Sequence, residues 1–330
     1  MTRASKRPGE FELIAKYFAP LARAEPGAFG LTDDAALFRP KAGHDLVVTT
    51  DAIVAGVHFL PDDPPDTVAQ KALRVNLSDL AAKGATPRAY LMTAAFTHTV
   101  DETWLKAFVR GLKRDQTLFG LALIGGDTVA TPGPLFLSVT ALGELAAGKM
   151  LARAGAKAGD DVWVTGTIGD AYCGLKILRG DGLGLGDKER AALVARYRVP
   201  EPRAPLGPSL VGLASACLDI SDGLIADFGH MSDASRVAIQ IEVEAVPLSP
   251  AARAAVDRKR VALADLLTGG DDYELAIAAP ASARARLAGR AAQAKTRLTR
   301  IGAVAKGRGV TAVRADGTAL AIARTGFVHF

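Results

Sequence analysis

Acidic residues recur in this chain beside glycine or at the ends of apolar runs. They are Asp33-Asp34 in LTDDAAL, Asp51 in TTDAI, Asp79 in NLSDL, Asp127 in IGGDT, Asp219 and Asp222 in LDISDGL, and Asp271-Asp272 in GGDDYEL. Taken singly, such an aspartate caps a helix or fills a turn. The pair in LDISDGL asks for more, because two bare carboxylates about 4 Å apart repel by about 1 kcal/mol in water and about 4 kcal/mol at an effective dielectric of 20. A hard cation offsets that repulsion: Mg²⁺ takes carboxylate oxygen and completes its shell with phosphate and water. Repetition of the pattern therefore points to a metal-bound polyphosphate, with Gly125 and Gly126 letting backbone N–H groups approach phosphate oxygens beside Asp127.

Other chemistries lack their signatures. There is no GxxxxGK[ST] and no kinase-type HRD or DFG set, and GLGLG from Gly182 follows a predicted helix, not the strand that a dinucleotide site requires. A formal charge of +5 without a basic block gives no nucleic-acid footprint. Cys173 and Cys217 are too few for a disulfide framework or a cysteine zinc site, which suggests a reducing compartment, read here as the cytoplasm. Arg3, Lys6 and Arg7 make the start basic, but Glu10 and Glu12 interrupt it and no 18-residue apolar stretch follows anywhere, so neither export nor a membrane partner is expected.

At 330 residues, 49% of them hydrophobic and 23% charged, the chain is expected to fold as two globular domains. Phe11, Ile14, Phe18 and Leu21 predict an opening amphipathic helix that ends at Pro26-Gly27. Strands are predicted at 35–38 and at 46–50, the second placing Asp51 at a strand end, and a helix over 66–83 sets Asn76 one turn before Asp79. Next come a strand at 90–96, a helix over 102–119, a buried strand at 121–124 stopping at Gly125-Gly126-Asp127, and a strand at 135–142. A change of composition over 143–153 puts the domain boundary near residue 147. Beyond it the reading is a strand at 162–165, a helix over 170–178, a glycine-rich turn, a second helix, a helix ending near Ala216, a helix after LDISDGL, a strand at 238–243, and a helix near Ala251. A strand at 274–277, a helix over 281–294 and strands near Ile301, Val310 and Ala319 follow. Strands and helices mix in both halves, so the class is α/β, mixed with α+β.

In order along the chain, GEFELIAKYF, TDDAAL, TTDAIVAGVHF, KALRVNLSDLAAKGA, LIGGDT, the RAGAKAGDDVWVTGTIGD region, LDISDGLIADFGH, TGGDDYEL and the terminal GFVHF resemble the thiamine-monophosphate kinases. These belong to the aminoimidazole-ribonucleotide-synthetase-like superfamily, and the resemblance spans nearly the whole length. It implies a two-domain AIR-synthetase-like fold: an N-terminal α/β domain, 1–147, that binds ATP and Mg²⁺ and forms a homodimer through its sheet, and a C-terminal α/β domain, 148–330. It implies ATP-dependent phosphorylation of thiamine monophosphate to thiamine diphosphate, the last step of thiamine diphosphate biosynthesis. Mg²⁺ ions are implied at Asp34, Thr49, Thr50, Asp51, Asp79, Asp127, Asp219 and Asp222. ATP is implied at Gly126, Asp127, Arg153 and Ser221, and thiamine monophosphate at His58, Asp271 and Phe327.

Two positions depart from the family pattern: Leu31-Thr32 precede the first Asp pair where the family carries glycine, and Asp271 stands where it often carries Glu. A substrate phosphate is already anionic, so transfer needs positioning and charge neutralisation rather than a strong base, and direct in-line transfer is expected. Two other readings stand beside this one. The first is another ATP-dependent member of the superfamily, although the reactive early cysteine of selenophosphate synthetase has no counterpart before Cys173. The second is a non-catalytic Mg-nucleotide-binding protein. Read alone, His58 is a turn histidine, Phe327 a core anchor and Arg153 a surface charge.

Overall fold

The computed structural model describes residues 9–327; Arg3, Lys6, Arg7 and the last three residues of GFVHF lie outside them. Two sheets, each with its own helices, divide the chain into two compact units, the first holding the residues up to Leu80 and Thr86–Gly148, the second Ala81–Ala85 and the chain from Lys149 on.

In the first unit the elements are α1 (Glu10–Leu13), β1 (His44–Val54), α2 (Pro65–Ala82), β2 (Thr86–Phe96), α3 (Glu102–Phe119), β3 (Ala122–Ala130) and β4 (Phe136–Ala146). The sheet runs β1-β4-β2-β3, with β2 and β3 parallel and the other pairs antiparallel. Strand alternation gives it two faces. Val47, Ile53, Met92, Ala94, Phe96, Leu137 and Val139 are buried on one, where Phe96 meets Phe108 and Trp104 of α3 edge-on. The other face carries exposed Leu46, Val48 and Val129. α3 has the bounds its periodicity predicts because both ends are fixed: Asp101 accepts the Trp104 N–H at 2.8 Å, and Gly120, at φ 71°, closes the last turn.

Four expectations for this unit are corrected. The opening helix is regular only to Leu13; a π segment over Ile14–Phe18 shifts its phase, so Leu13, Tyr17, Phe18 and Leu21 are buried while Phe11 is exposed. Residues 35–38 form no strand, because among the described residues no neighbour pairs with them beyond the Leu37 N–H to Gly27 bond, although Ala36 and Phe38 pack on a small core with Ala22 and Ala28. β1 pairs with β4 without a break to Val54, which places Asp51 inside the strand and not at its end. β3 continues through Gly125-Gly126-Asp127 to Ala130: a side chain on Gly126 would put its Cβ 1.9 Å from the Met92 carbonyl oxygen, so glycine lets the strand lie against β2.

In the second unit the elements are β5 (Asp160–Thr165), α4 (Asp170–Leu178), α5 (Asp187–Arg198), β6 (Ala216–Ile220), α6 (Leu224–Ser235), β7 (Ala238–Glu242), α7 (Pro250–Asp257), α8 (Leu263–Thr268), β8 (Glu274–Pro280), α9 (Arg284–Gln293), β9 (Leu298–Ala305) and β10 (Gly309–Val313). The sheet order is β10-β7-β9-β5-β8-β6, which leaves β6 at an edge. Its main core joins Val162, Val164, Leu218 and Ile220 of the sheet to Leu224, Phe228 and Met231 of α6. The helix expected to end near Ala216 is a 3₁₀ turn at Gly207–Leu210, and Ala216 opens β6. Ala319 forms an isolated bridge to Val313 in place of a strand. The GLGLG turn lies between α4 and α5 and buries Leu183 and Leu185, so it lacks the strand-turn-helix context of a dinucleotide site.

Candidate active site

In the first unit, alternation along β1 separates the predicted ligands. Thr49 and Asp51 share a face with buried Val47 and Ile53, where Thr49 Oγ1 donates to Asp79 Oδ2 of α2 at 2.5 Å. Asn76, fully buried one turn before Asp79, accepts the Asp51 N–H at 3.0 Å and donates to the Ala72 carbonyl. Thr50 turns to the other face, receiving a bond from Thr140 Oγ1 and donating to the Val139 carbonyl. Asp127 pairs by register with Thr93 on that same face; it is exposed and accepts the Thr128 N–H. Asp34 is exposed on the loop after Leu31, its N–H donating to Asp33. The fold therefore brings Thr49, Asp51 and Asp79 together and holds Thr50 and Asp127 on the opposite face of the sheet. His58 sits in the turn after β1, where Nδ1 accepts the Val54 N–H at 3.1 Å and the carbonyl accepts from the buried Lys71 ammonium at 2.7 Å.

In the second unit four predicted residues converge on one turn. β6 ends at Ile220 and α6 begins at Leu224, so Ser221-Asp222-Gly223 is the whole connection. The Ser221 carbonyl accepts the Asp271 N–H at 2.7 Å, the Ile220 carbonyl the Tyr273 N–H at 2.7 Å, and the Asp222 carbonyl the Phe327 N–H at 2.9 Å. Asp271 and Tyr273 both take positive φ, 64° and 51°, a strained conformation for residues with side chains. A buried network holds them there. Glu274, fully buried, takes both Arg203 and Arg196 as well as the Thr165 hydroxyl, and Asp272 accepts the Gly169 N–H at 3.0 Å on both oxygens. Burial pushes the Asp272 carboxyl well above the ordinary range, and burial also raises that of Asp170, which accepts from Thr167 and Ser249.

Asp222 has two neighbours that sequence reasoning passed over. Asp222, Asp227 and His230 are the one group of three such side chains, among the described residues, whose ligand atoms lie within 4.8 Å of one another. Asp219, paired with Leu275 on β6, is not a member. Asp227 is buried in the first turn of α6, where burial and then the Asp222 charge push its carboxyl up to about 7 against the pull of its N–H donors. The spacing of Asp227 and His230, three apart on a helix, puts them on one face, and that was the legible signal. Arg153 is exposed on the segment whose Ala152 carbonyl accepts the Cys217 N–H.

Apart from the His230 imidazole, the donors in both units are carboxylate and hydroxyl oxygens, the hard set that suits Mg²⁺, and two crowded carboxylates at Asp222 and Asp227 are what a cation would relieve. Residues 32–145 match the family described as AIR synthase related protein, N-terminal domain. Over nearly the full length, the chain is 41% identical to the thiamine-monophosphate kinase of Caulobacter vibrioides, covering 99% of this chain and 92% of that protein. The chain belongs to the thiamine-monophosphate kinase family. The family's enzyme from Stenotrophomonas maltophilia K279a superposes with a TM-score of 0.84 at 39% identity, covering 94% of this chain and 98% of that one. AaThiL, solved in complex with AMPPCP and TMP, superposes with a TM-score of 0.78 at 30% identity, covering 93% and 98% of the two chains. As a member of the thiamine-monophosphate kinase family, the chain is a kinase whose mixed α/β fold is that of its solved relatives. Among the described residues no helix is long and apolar enough to cross a membrane.

Proposed function

We propose that this protein transfers the γ-phosphoryl group of ATP to the phosphate of thiamine monophosphate, giving thiamine diphosphate and ADP. The observation that carries the reading is the convergence of Ser221, Asp222, Asp271 and Phe327 on the single turn between β6 and α6. Two of these are assigned to nucleotide and cation and two to thiamine monophosphate, so one turn addresses both substrates. The relatives' names and the AMPPCP and TMP complex of AaThiL support the same assignment.

Mg²⁺, when bound, neutralises charge on the transferring phosphoryl group. Asp34, Thr49, Thr50, Asp51, Asp79, Asp127, Asp219 and Asp222 are the residues that would hold it. Gly126, Asp127, Arg153 and Ser221 bind and orient ATP. His58, Asp271 and Phe327 bind thiamine monophosphate. Because Nδ1 of His58 accepts a backbone N–H, its ring proton sits on Nε2, which makes His58 a neutral donor. Phe327, half exposed, offers a ring face to the heteroaromatic part of the substrate. The acceptor phosphate is itself the nucleophile, so the transfer is direct and in line, with no phosphoenzyme.

The first domain, 1–147, serves as the ATP- and Mg-binding and dimerising part, and 148–330 as the second domain. Leu46, Val48 and Val129, exposed on the open face of the first sheet, supply apolar surface for a homodimer of a cytoplasmic enzyme. The test is ADP release from ATP and Mg²⁺ with and without thiamine monophosphate. Release that depends on thiamine monophosphate and falls in both Asp127→Asn and Asp222→Asn supports the reading; full activity in both variants, or a phosphoaspartate or phosphohistidine trapped during turnover, refutes it.

A further inference from the structure

The Ser221-Asp222-Gly223 turn is held from two sides. Its carbonyls are taken by Asp271 and Phe327, as described. Its N–H groups face inward, where one oxygen of the buried Asp227 carboxylate accepts from Asp222 and from Gly223, each at 3.1 Å. Gly223 makes this approach possible: at φ 126° it takes a conformation that disfavours side chains, and a Cβ there would lie 2.9 Å from the Thr268 backbone. The Asp227 N–H donates back to the Gly223 carbonyl at 2.9 Å, closing the first turn of α6 on the same residue. With the backbone groups of the turn satisfied, the side chains of Ser221 and Asp222 form no hydrogen bond among the described residues and are left to meet a ligand.

We propose that Asp227 is a positioning residue, which through its two backbone hydrogen bonds sets the geometry in which Ser221 and Asp222 receive magnesium-bound nucleotide. The proposal rests on the assignment of Ser221 and Asp222 given under Proposed function. A carboxylate that accepts two successive N–H groups fixes the dihedrals between them, so displacing it shifts the backbone that carries the Ser221 and Asp222 side chains. An ordinary helix cap at the same place would contribute stability alone. The two roles differ in what they do to ligand binding.

The distinguishing experiment titrates the whole protein with Mg²⁺ and a non-hydrolysable ATP analogue by calorimetry, alongside thermal melts, for wild type, Asp227→Ala, Asp227→Asn and Ser232→Ala. Ser232 is the control: buried near the far end of α6, it bonds the Val237 carbonyl and the Gly309 N–H and has no part in the site. Asp227→Ala is expected to weaken analogue binding by about tenfold or more, the range seen when supporting partners of ligand residues are removed. Asp227→Asn, which keeps an acceptor oxygen, is expected to restore binding close to wild type, and Ser232→Ala to lower the melting temperature with binding unchanged. Wild-type binding in Asp227→Ala, or equal loss in Asn and Ala variants, overturns the proposal, the latter because charge and not the hydrogen bonds would then be what matters. Should Asp227→Ala fail to fold, amide exchange in ligand-free wild type decides: slow exchange at Asp222 and Gly223 is expected, and fast exchange overturns the proposal. A wild-type protein that binds no analogue fails differently, since it removes the reading of the site itself.

Discussion

The backbone N–H of Phe327 donates to the carbonyl of Asp222 at 2.9 Å, tying the end of the described chain to the turn that opens α6. Gly326 makes the approach possible, because a Cβ there would lie 2.5 Å from that of Ala226 and 2.7 Å from the Asp222 carbonyl oxygen. The residue assigned to thiamine monophosphate is thus fixed to the backbone of a residue assigned to the cation.

Phe327→Ala removes a half-exposed ring and keeps the backbone bond. Steady-state kinetics are expected to show KM for thiamine monophosphate raised about tenfold, equivalent to about 1.4 kcal/mol of lost contact, with KM for ATP little changed. A melting temperature equal to wild type would confirm that the ring serves the substrate and not the core.

Gly126→Ala and Gly125→Ala form a matched pair on β3. The added Cβ at Gly126 meets the Met92 carbonyl oxygen at 1.9 Å, whereas at Gly125 it meets the flexible end of Leu91 at 3.2 Å. Urea unfolding is expected to show a loss of about 1–3 kcal/mol or more for Gly126→Ala and a smaller one for Gly125→Ala.

Asp115→Ala breaks a buried cluster in which Arg74 grips both carboxylate oxygens, at 2.7 and 2.8 Å, and Gln70 donates to one of them. Because the Arg74 charge on α2 then stays buried beside an empty partner position, the expected cost in the same assay is about 3–5 kcal/mol.

Acid should unfold the protein partly through Asp161. Arg284 and then Arg300 hold its carboxyl below the usual range. The folded pKa is depressed, so the stabilisation is fully present above the unfolded value of about 3.9 and is lost as pH falls through the folded one. Asp161→Asn is therefore expected to melt lower than wild type at neutral pH, with the two curves converging in acid.

Where sequence reading succeeded, the local signal and the tertiary answer agreed. Glu102–Phe119 carries its own cap and stop in Asp101 and Gly120. The expected failures are equally specific. Residues 35–38 read as a short apolar, strand-like run, but a strand needs a partner, and nothing in the sequence says that none pairs with them. Asp51 looked like a strand end because polar residues usually mark one, yet β4 carries the pairing past it. The sequence places Asn76 one turn before Asp79, and the spacing of Asp227 and His230 sets them on one helix face, but the backbone N–H groups that Asn76 and Asp227 accept, of Asp51 and of Asp222 and Gly223, have no sequence signature. The separation of Thr50 and Asp127 from Thr49 and Asp51 by the pleat becomes visible once the register is known.

The most direct test of the account supplies purified protein with Mg²⁺, thiamine monophosphate and ATP labelled in the γ-phosphoryl group, and follows the label by chromatography. Label moving into thiamine diphosphate, one for each ADP formed, is the predicted result. Label appearing as inorganic phosphate with no thiamine diphosphate, or remaining in ATP, would contradict it.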